Sequence, residues 1–198
     1  PDKAGLLYAL GDGYYNTIIH LNCSSVSSFN DLSIWAGRIY NVFCSDKRTY
    51  EILLENHRHA DVRKKLLVSI SQGGFDKSER KRHSVDVIYL NTLYFTSVTA
   101  YNELQDIFRN LLRRAKRLVV HTILAESLGR SETVSSREEW GSFGISRDNS
   151  VDPSFFPLSF YQSMAREFGR EYVGVTAGEV CEFSGHRFDT HYVVFDPI

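Results

Sequence analysis

The chain has 198 residues, of which 42% are hydrophobic and 13% aromatic, and such a chain can bury a sizeable core in one globular domain. Its formal net charge is −1 with the seven histidines neutral. The molecule therefore has no overall positive field, and any nucleic-acid surface would need local clustering of basic residues. No apolar run reaches the roughly 18 residues that a membrane span requires, so we expect no membrane span.

The three cysteines, Cys23, Cys44 and Cys181, are too few and too scattered for a disulfide framework or a zinc site. They favour a reducing compartment such as the cytoplasm, and each is expected to be a small buried hydrophobe. The chain begins almost on a predicted core strand, without a signal-peptide pattern. We therefore expect one domain over residues 1–198 that belongs to a longer protein.

An apolar run followed by a glycine turn stands near the start of the sequence. Leu6–Leu10 is typical of a buried strand, and Gly11–Gly13 predicts a tight turn after it. Ligands of open α/β sheets bind at such turns, where glycines let the backbone approach them. A full Gly-x-Gly-x-x-Gly fingerprint would need a glycine in place of Asn16, so an ordinary strand-to-helix turn stays open. Tyr14–Leu21 is then expected to open a helix, despite its β-branched residues.

The next apolar segment ends in a carboxylate. Arg38–Asp46 is β-branched and aromatic, which predicts a second strand. An acid at the end of this strand is where nucleotide-type cofactors find an acceptor for their ribose hydroxyls. Asp46 can equally cap the helix expected to start at Lys47, and the two roles are compatible. Thr49–His59 has the pattern of a short amphipathic helix.

Two further strands are separated by the most charged stretch of the chain. Lys65–Ile70 and Val85–Leu90 have the composition of strands, and Asp76–His83 between them is either a solvated loop or a phosphate-binding patch. Asn91 and Tyr94 follow the fourth strand where it should emerge from the sheet. That location makes them candidate catalytic residues.

The remaining elements predict how the sheet is built. The helix Tyr101–Lys116, the strand Arg117–Ile123 and the helix Leu158–Gly169 continue an alternation that argues for a mostly parallel sheet with helices on both faces. Glu171–Thr176 and His191–Phe195 have no helix between them. They should therefore pair antiparallel, as a hairpin at the sheet edge.

This order of elements resembles the class I S-adenosylmethionine-dependent methyltransferases, whose α/β, Rossmann-like sheet ends in a reversed strand. The resemblance extends over nearly the whole chain and implies S-adenosylmethionine as cofactor. The Gly-Asp-Gly turn also resembles the methyltransferase domains of large viral RNA polymerase proteins, which methylate mRNA caps. The implied motif positions are Leu10, Gly11, Asp12 and Gly13 for the glycine-rich motif, Asp46 for the ribose, Gln72 to Asp76 for the adenine loop, and Asn91 to Tyr94 facing the transferred methyl group.

The sequence departs from one pattern of that family. Its RNA ribose 2′-O-methyltransferases use a Lys-Asp-Lys-Glu tetrad, and here Asn91 and His121 stand at the Asp and second Lys positions. A ribose hydroxyl needs a general base to lose its proton. A guanine ring nitrogen already has a lone pair, and its methylation can rely on proximity and orientation. The resemblance therefore implies base-independent methylation of RNA, with the cap guanine as the candidate acceptor.

Two basic clusters, Lys77–Arg82 and Arg113–Arg117, precede parallel strands and should lie at the amino ends of the sheet, away from the cofactor. They are interpreted as solvated faces or as docking surface for other domains of a larger protein. RNA near the methyl group would instead contact the long polar segment Ala125–Pro157. In it Trp140 and Phe143 could stack on a base or merely anchor the loop, and Arg130, Arg137 and Arg147 could contact phosphates.

Two alternatives stay open. The first is a catalytically inert, methyltransferase-like scaffold, which would suit the missing tetrad and the bulky Tyr14 and Tyr15, expected to fill the cofactor cleft. The second is an oxidoreductase that uses a nicotinamide dinucleotide. The reversed terminal strand and the incomplete glycine fingerprint disfavour the second alternative.

Overall fold

The computed structural model describes residues 3–44, 46–56, 65–69, 84–92, 101–132, 155–170, 172–183 and 186–195. Within these residues, seven strands form one sheet in the order β3-β2-β1-β4-β5-β7-β6. The strands are β1 Tyr15–Cys23, β2 Ala36–Cys44, β3 Lys65–Ser69, β4 Val85–Asn91, β5 Ala115–Thr122, β6 Tyr172–Phe183 and β7 His186–Phe195. The helices are α1 Lys3–Leu10, α2 Val26–Ser33, α3 Lys47–Asn56, α4 Tyr101–Arg114 and α5 Leu158–Glu167, with a 3-10 turn at Ala125–Leu128.

Strands β1 to β5 are parallel to one another, and β7 runs antiparallel to both β5 and β6. The predicted fold class is therefore confirmed: an α/β, mostly parallel Rossmann-like sheet with an antiparallel C-terminal hairpin. The hairpin strands are longer than predicted, and β7 inserts between β5 and β6, which leaves β6 as the edge strand. None of the described helices is long and apolar enough to cross a membrane.

The sheet separates two apolar cores. Alternate residues of the central strands, such as Leu21 and Ile88, pack with Phe108 of α4 and Tyr161 of α5 on one face. The opposite face packs against α1, α2 and α3. Because side chains alternate along a strand, a strand covered on both faces must be apolar at almost every position. In β1 the buried residues Ile18, Ile19, Leu21 and Cys23 meet that requirement, and His20 and Asn22 are buried polar residues.

The prediction that Leu6–Leu10 is a strand is wrong, because this segment lies in α1. Leu6, Ala9 and Leu10 are buried, whereas Leu7 and Tyr8 are exposed, which is the spacing of one helix face. Gly11 ends the helix with φ +76° and donates its N–H to the Leu7 carbonyl at 2.7 Å. The glycine is thus a helix C-terminal residue, the position where a left-handed conformation is most often required.

The predicted helix over Tyr14–Leu21 is also wrong, since this segment forms most of β1. Its β-branched residues disfavour a helix and favour a strand, and the central place of β1 in the sheet adds burial on both faces. Its register pairs Ile18 with Val87 and His20 with Tyr89 of β4. The number of parallel strands was therefore predicted correctly, but the first strand was placed one element too early.

The other predicted elements are confirmed with shifted boundaries, with one addition. The Ser/Asn-rich segment after β1 contains α2, which begins after Ser25 because the Ser25 side chain accepts the N–H of Ser28 at 3.2 Å. Gly169 follows α5 with φ +63°, as expected of a residue just past a helix C-terminus. Arg170 then donates to the carbonyls of Leu112 and Lys116, which satisfies acceptors at the end of α4 and the start of β5.

Two buried histidines lie in the core between the sheet and α1. His20 is fully buried, its Nδ1 lies 2.9 Å from the Tyr40 hydroxyl, and the Tyr89 ring lies perpendicular to the His20 ring with the centroids 5.0 Å apart. His121 stacks on Tyr192 with ring centroids 4.6 Å apart. Burial lowers the pKa of His20 to about 3 and that of His121 to about 4. Both rings are therefore neutral in the folded protein at neutral pH.

Acid should destabilise the fold through these histidines. The folded pKa of His20 lies below the ordinary 6.5, so protons bind the unfolded chain first, and stability is lost as the pH falls from about 6.5 towards the folded value. Between pH 7 and pH 5 we expect His20 alone to remove about 2 kcal/mol of the unfolding free energy. The measurement is urea unfolding at both pH values. His20→Gln should reduce the difference by about that amount, and an unchanged difference would contradict the assignment.

Candidate functional site

The carboxyl ends of the parallel strands form the edge at which a ligand site is expected. The strand order reverses between β1 and β4, since the chain runs outward from β1 to β3 and then crosses to β4. In open α/β sheets, ligands bind outside the carboxyl ends of the strands at such a switch point. The loops after β1, β2 and β4 therefore define the candidate site.

The end of β1 and the turn into α2, residues 22–26, contain no glycine. The backbone turns at Asn22 near the end of β1, with φ +60°, within the left-handed region that favours glycine. Asparagine is among the few other residues that adopt this conformation readily. The chain thus makes this turn without a glycine, and Ser24, Ser25 and Val26 follow it with side chains.

Side chains connect the ends of β1 and β4. The side-chain amide of Asn22 donates to the backbone carbonyl oxygen of Asn91 at 2.9 Å, and Asn91 Nδ2 donates to Ser24 Oγ at 3.1 Å. We call this pair of hydrogen bonds the Asn22–Asn91–Ser24 bridge. Asn22 and Asn91 are only 2% and 6% exposed. The predicted catalytic residue Asn91 therefore ends β4 as expected, but its amide is largely buried and held by neighbours.

Asp46 stands at the end of β2, as predicted, and caps α3. The N–H of Thr49 donates to Asp46 Oδ1 at 2.7 Å, and the Thr49 hydroxyl donates to Asp46 Oδ2 at 2.9 Å. Asp46 is nevertheless exposed at the edge of the sheet. Because each carboxylate oxygen accepts more than one hydrogen bond, the capping role leaves acceptor capacity for a ligand.

A cleft opens between the loop after β1 and the start of α3. Its volume is about 450 Å³, within the usual range for sites of small molecules. It combines hydroxyls, one carboxylate, one guanidinium and two apolar side chains. Its lining residues are Ser24, Ser25, Val26, Asp46, Arg48, Thr49 and Ile52.

Two cysteines lie beneath this cleft, paired in register at the ends of β1 and β2. Cys23 and Cys44 are buried, as predicted. Burial raises the pKa of the Cys23 thiol to about 11 and that of the Cys44 thiol to about 12. Neither is therefore a thiolate at neutral pH, which argues against a nucleophilic role.

The structure separates the glycine turn from this edge. Leu10 is buried in α1, and Gly11, Asp12 and Gly13 precede β1, so they lie at the amino end of the strand. The cofactor role predicted for these four residues depended on a strand at Leu6–Leu10 and loses its support. Tyr14 is 77% exposed at the same amino end, so Tyr14 and Tyr15 do not fill a cleft at the carboxyl edge.

The basic cluster Arg113–Arg117 lies at the amino end of β5, as predicted, and most of it is engaged. Arg114 is buried, Lys116 pairs with Asp86 at 3.2 Å, and Arg117 donates to the Ala9 carbonyl at 2.9 Å. His121 also has a partner inside the core, since its Nε2 lies within hydrogen-bond distance of the Thr190 hydroxyl, at 2.9 Å. None of these groups faces the cleft lining.

Several predicted site residues lie outside the described residues, and the structure does not place them. They are Gln72, Asp76, Tyr94, Arg137, Trp140 and Phe143. Conversely, five residues at this edge were not predicted from the sequence: Asn22, Ser24, Ser25, Val26 and Arg48. The signal that could have located the first four is the β-branched run of β1 followed by Asn and small polar residues, which is a strand ending in a turn even without glycine.

No protein-family model matches the sequence, and no curated protein matches it. Solved structures do match. An S-adenosylmethionine-dependent methyltransferase from Methanosarcina mazei has 12% identity and a TM-score of 0.64, covering 98% of this chain and 97% of that one. The N-methyltransferase NodS from Bradyrhizobium japonicum has 12% identity and a TM-score of 0.64, covering 98% of this chain and 93% of that one. A candidate RNA methyltransferase from Pyrococcus horikoshii has 13% identity and a TM-score of 0.59, covering 100% of this chain and 82% of that one.

These likenesses, together with the strand order, define the class of fold. The chain has the α/β fold of the class I methyltransferases, including the reversed strand β7 between β5 and β6. At these identities the likeness concerns the fold. What the chain binds and does must be argued from its own site.

The cap formed by Asp46 gives a direct stability prediction. Asp46→Ala should lower the unfolding free energy by about 1 kcal/mol, because the Thr49 N–H loses its acceptor. Asp46→Ser should retain most of that stability, since serine caps helices about as well as aspartate. Urea unfolding of the two variants beside the original protein tests this. Equal losses in both variants would show that capping is not what Asp46 contributes.

Proposed function

We propose that this chain is an S-adenosylmethionine-dependent methyltransferase domain that modifies RNA at a base nitrogen, with the cap guanine as the candidate acceptor. The observation that carries the proposal is the cleft between Ser24–Val26 and Asp46, placed at the switch point of a methyltransferase-type sheet. The Asp46 carboxylate would accept hydrogen bonds from the ribose hydroxyls of S-adenosylmethionine, and the apolar side chains of Val26 and Ile52 would contact its adenine.

The chemistry proposed is methyl transfer without a general base. Asn91 ends β4 and carries an amide, which cannot accept a proton at neutral pH. His121 is buried, its pKa is lowered to about 4, and its ring contacts Thr190 and Tyr192. An acceptor nitrogen with its own lone pair requires only orientation against the sulfonium methyl group. The N-methyltransferase among the structural neighbours supports this acceptor class.

RNA as the substrate is supported by one structural neighbour and by the sequence. The neighbour from Pyrococcus horikoshii is described as a candidate RNA methyltransferase. In this chain, the segment 125–157 offers Trp140 and Phe143 for stacking and Arg137 for phosphates. The engaged basic residues at the amino end of β5 support the view that RNA is bound elsewhere.

A second candidate function is an inert scaffold with the same fold. The observation that favours it is the side-chain-bearing loop at residues 22–26, together with the buried amide of Asn91. A glycine-rich loop normally lets a ligand approach the backbone closely. A domain that has lost this property could retain its fold for contacts with other domains of a larger protein.

Cofactor binding separates the two functions. Isothermal titration with S-adenosylmethionine should give measurable binding, and Asp46→Ser should weaken it by about tenfold or more while retaining the helix cap. Asp12→Ala is the matched control, because Asp12 is an exposed carboxylate at the opposite edge of the sheet. Its affinity should equal that of the original protein. Absence of binding by the original protein would contradict the methyltransferase, as would an equal loss in Asp12→Ala.

The substrate face gives a separate prediction from the sequence. Trp140→Ala should weaken RNA binding more than neutralising Lys81 and Arg82 together does, because stacking on a base contributes without regard to net charge. Fluorescence anisotropy at two salt concentrations measures both losses of affinity. The loss caused by neutralising Lys81 and Arg82 should depend more strongly on the salt concentration than the loss caused by Trp140→Ala. A larger loss from the Lys81 and Arg82 change would overturn the assignment of the substrate face.

A further inference from the structure

Strand β6 leaves one edge of the sheet open. Within the described residues, β6 pairs with β7 on one side and with no strand on the other. It has 12 residues and contains neither lysine nor proline, which are the residues that commonly protect an edge strand against further pairing. A long edge strand without these residues is a ready template for another strand.

The most regular part of this edge is the stretch Gly174–Ala177. Its residues pair with β7 in unbroken register, whereas the ladder shifts on either side of the stretch. The two acidic residues of β6, Glu179 and Glu182, lie beyond it. Neither a bulge nor a charged side chain therefore prevents another strand from pairing with this stretch.

Helix α1 lies over the same stretch. A Cβ atom added to Gly174 would lie 2.8 Å from the Tyr8 hydroxyl oxygen. A Cβ atom added to Gly5 would lie 2.6 Å from the Ala177 carbonyl oxygen. Helix and strand can approach this closely because both positions are glycine. Tyr8 is 57% exposed, so a strand that pairs with β6 also comes beside Tyr8.

We infer that the edge formed by β6 and Tyr8 is a dimerisation surface, and that its partner is a second copy of this chain. A twofold axis through the edge makes the two β6 strands antiparallel and joins the two sheets, because an isologous interface uses the same patch on both copies. A single extended peptide would pair with β6 and leave Tyr8 in water. A second copy brings its own α1 to the same face of the joined sheet, where it covers this side chain.

Charge and size both suit this partner. With the axis between Val175 and Thr176, neither acidic residue of β6 stands opposite another acid in the partner strand. A strand of 12 residues is about 40 Å long, and the sheet and its helix layer together are about 20 Å deep. Each copy thus presents about 800 Å² at this edge, as much as one partner contributes to a typical stable interface.

The dimerisation surface is remote from the candidate cleft. Three strands, β4, β5 and β7, separate β6 from β1, whereas the cleft lies between the loop after β1 and α3. The cleft therefore stays open in the dimer. Self-association does not depend on the proposed function, and either can fail without the other.

Sedimentation velocity of the 198-residue chain at about 1 to 100 µM measures its self-association. We expect a reversible dimer with a dissociation constant of about 10 µM or below. Ala177→Lys, which places a lysine on the edge strand, and Tyr8→Asp should each raise that constant by about tenfold or more.

Leu54→Asp is the matched control, because Leu54 is 40% exposed on α3, which packs beside β2 and β3 at the other end of the sheet. Its dissociation constant should equal that of the original protein. A chain that stays monomeric at about 100 µM would overturn the inference. So would a dimer that Ala177→Lys and Tyr8→Asp do not weaken, or that Leu54→Asp weakens as much.

Cross-linking keeps the test decisive if a charged variant fails to fold. The three natural cysteines are buried, so Ala177→Cys places an exposed thiol at the edge. A short bis-maleimide should convert this variant into a covalent dimer, because the two introduced thiols lie near the twofold axis. Leu54→Cys should stay monomeric under the same treatment. Equal cross-linking of both variants, or of neither, would overturn the inference.

Discussion

Burial of β1 on both faces is the constraint on which the rest of the structure depends. Its side chains alternate between the core under α4 and α5 and the core under α1, α2 and α3. β1 is central in the sheet, with β2 on one side and β4 on the other. The chain runs from β1 through β2 to β3 on one side and then continues with β4 on the other side of β1. The loops after β1, β2 and β4 therefore meet at the carboxyl edge beside β1, where the candidate site lies.

The sequence predicted the fold class because its strongest signals are periodic. Val85–Leu90, the amphipathic pattern after Tyr101 and the closing hairpin all have a spacing that only one type of element satisfies. The first two elements were exchanged because Leu6–Leu10 is a short apolar run, and such a run fits a strand or a helix equally well. The glycine after it was interpreted as a ligand turn. The structure shows that Gly11 ends a helix, a role that the local sequence does not distinguish from the other.

The candidate site was predicted where polar residues follow clear strands, and missed where the turn uses an unexpected residue. Asp46 and Asn91 were found because each follows a strand with unambiguous composition. Asn22 was missed because Tyr14–Leu21 was predicted as a helix, so no strand was expected to end at this residue. The turn there is made by asparagine, which adopts the left-handed conformation more readily than most residues. The bridge between Asn22, Asn91 and Ser24 joins residues 67 and 69 positions apart. Only the packing of β1 beside β4 brings these residues together, so no local pattern predicts it.

The most direct test of the account is a crystal structure of the protein grown with saturating S-adenosylhomocysteine. The account predicts ligand density in the cleft between the loop after β1 and α3, with the ribose hydroxyls within hydrogen-bond distance of the Asp46 carboxylate. The adenine should contact Val26 and Ile52. Density at the turn formed by Gly11, Asp12 and Gly13, or an empty cleft at the carboxyl edge, would contradict the central claim that this edge is the binding site.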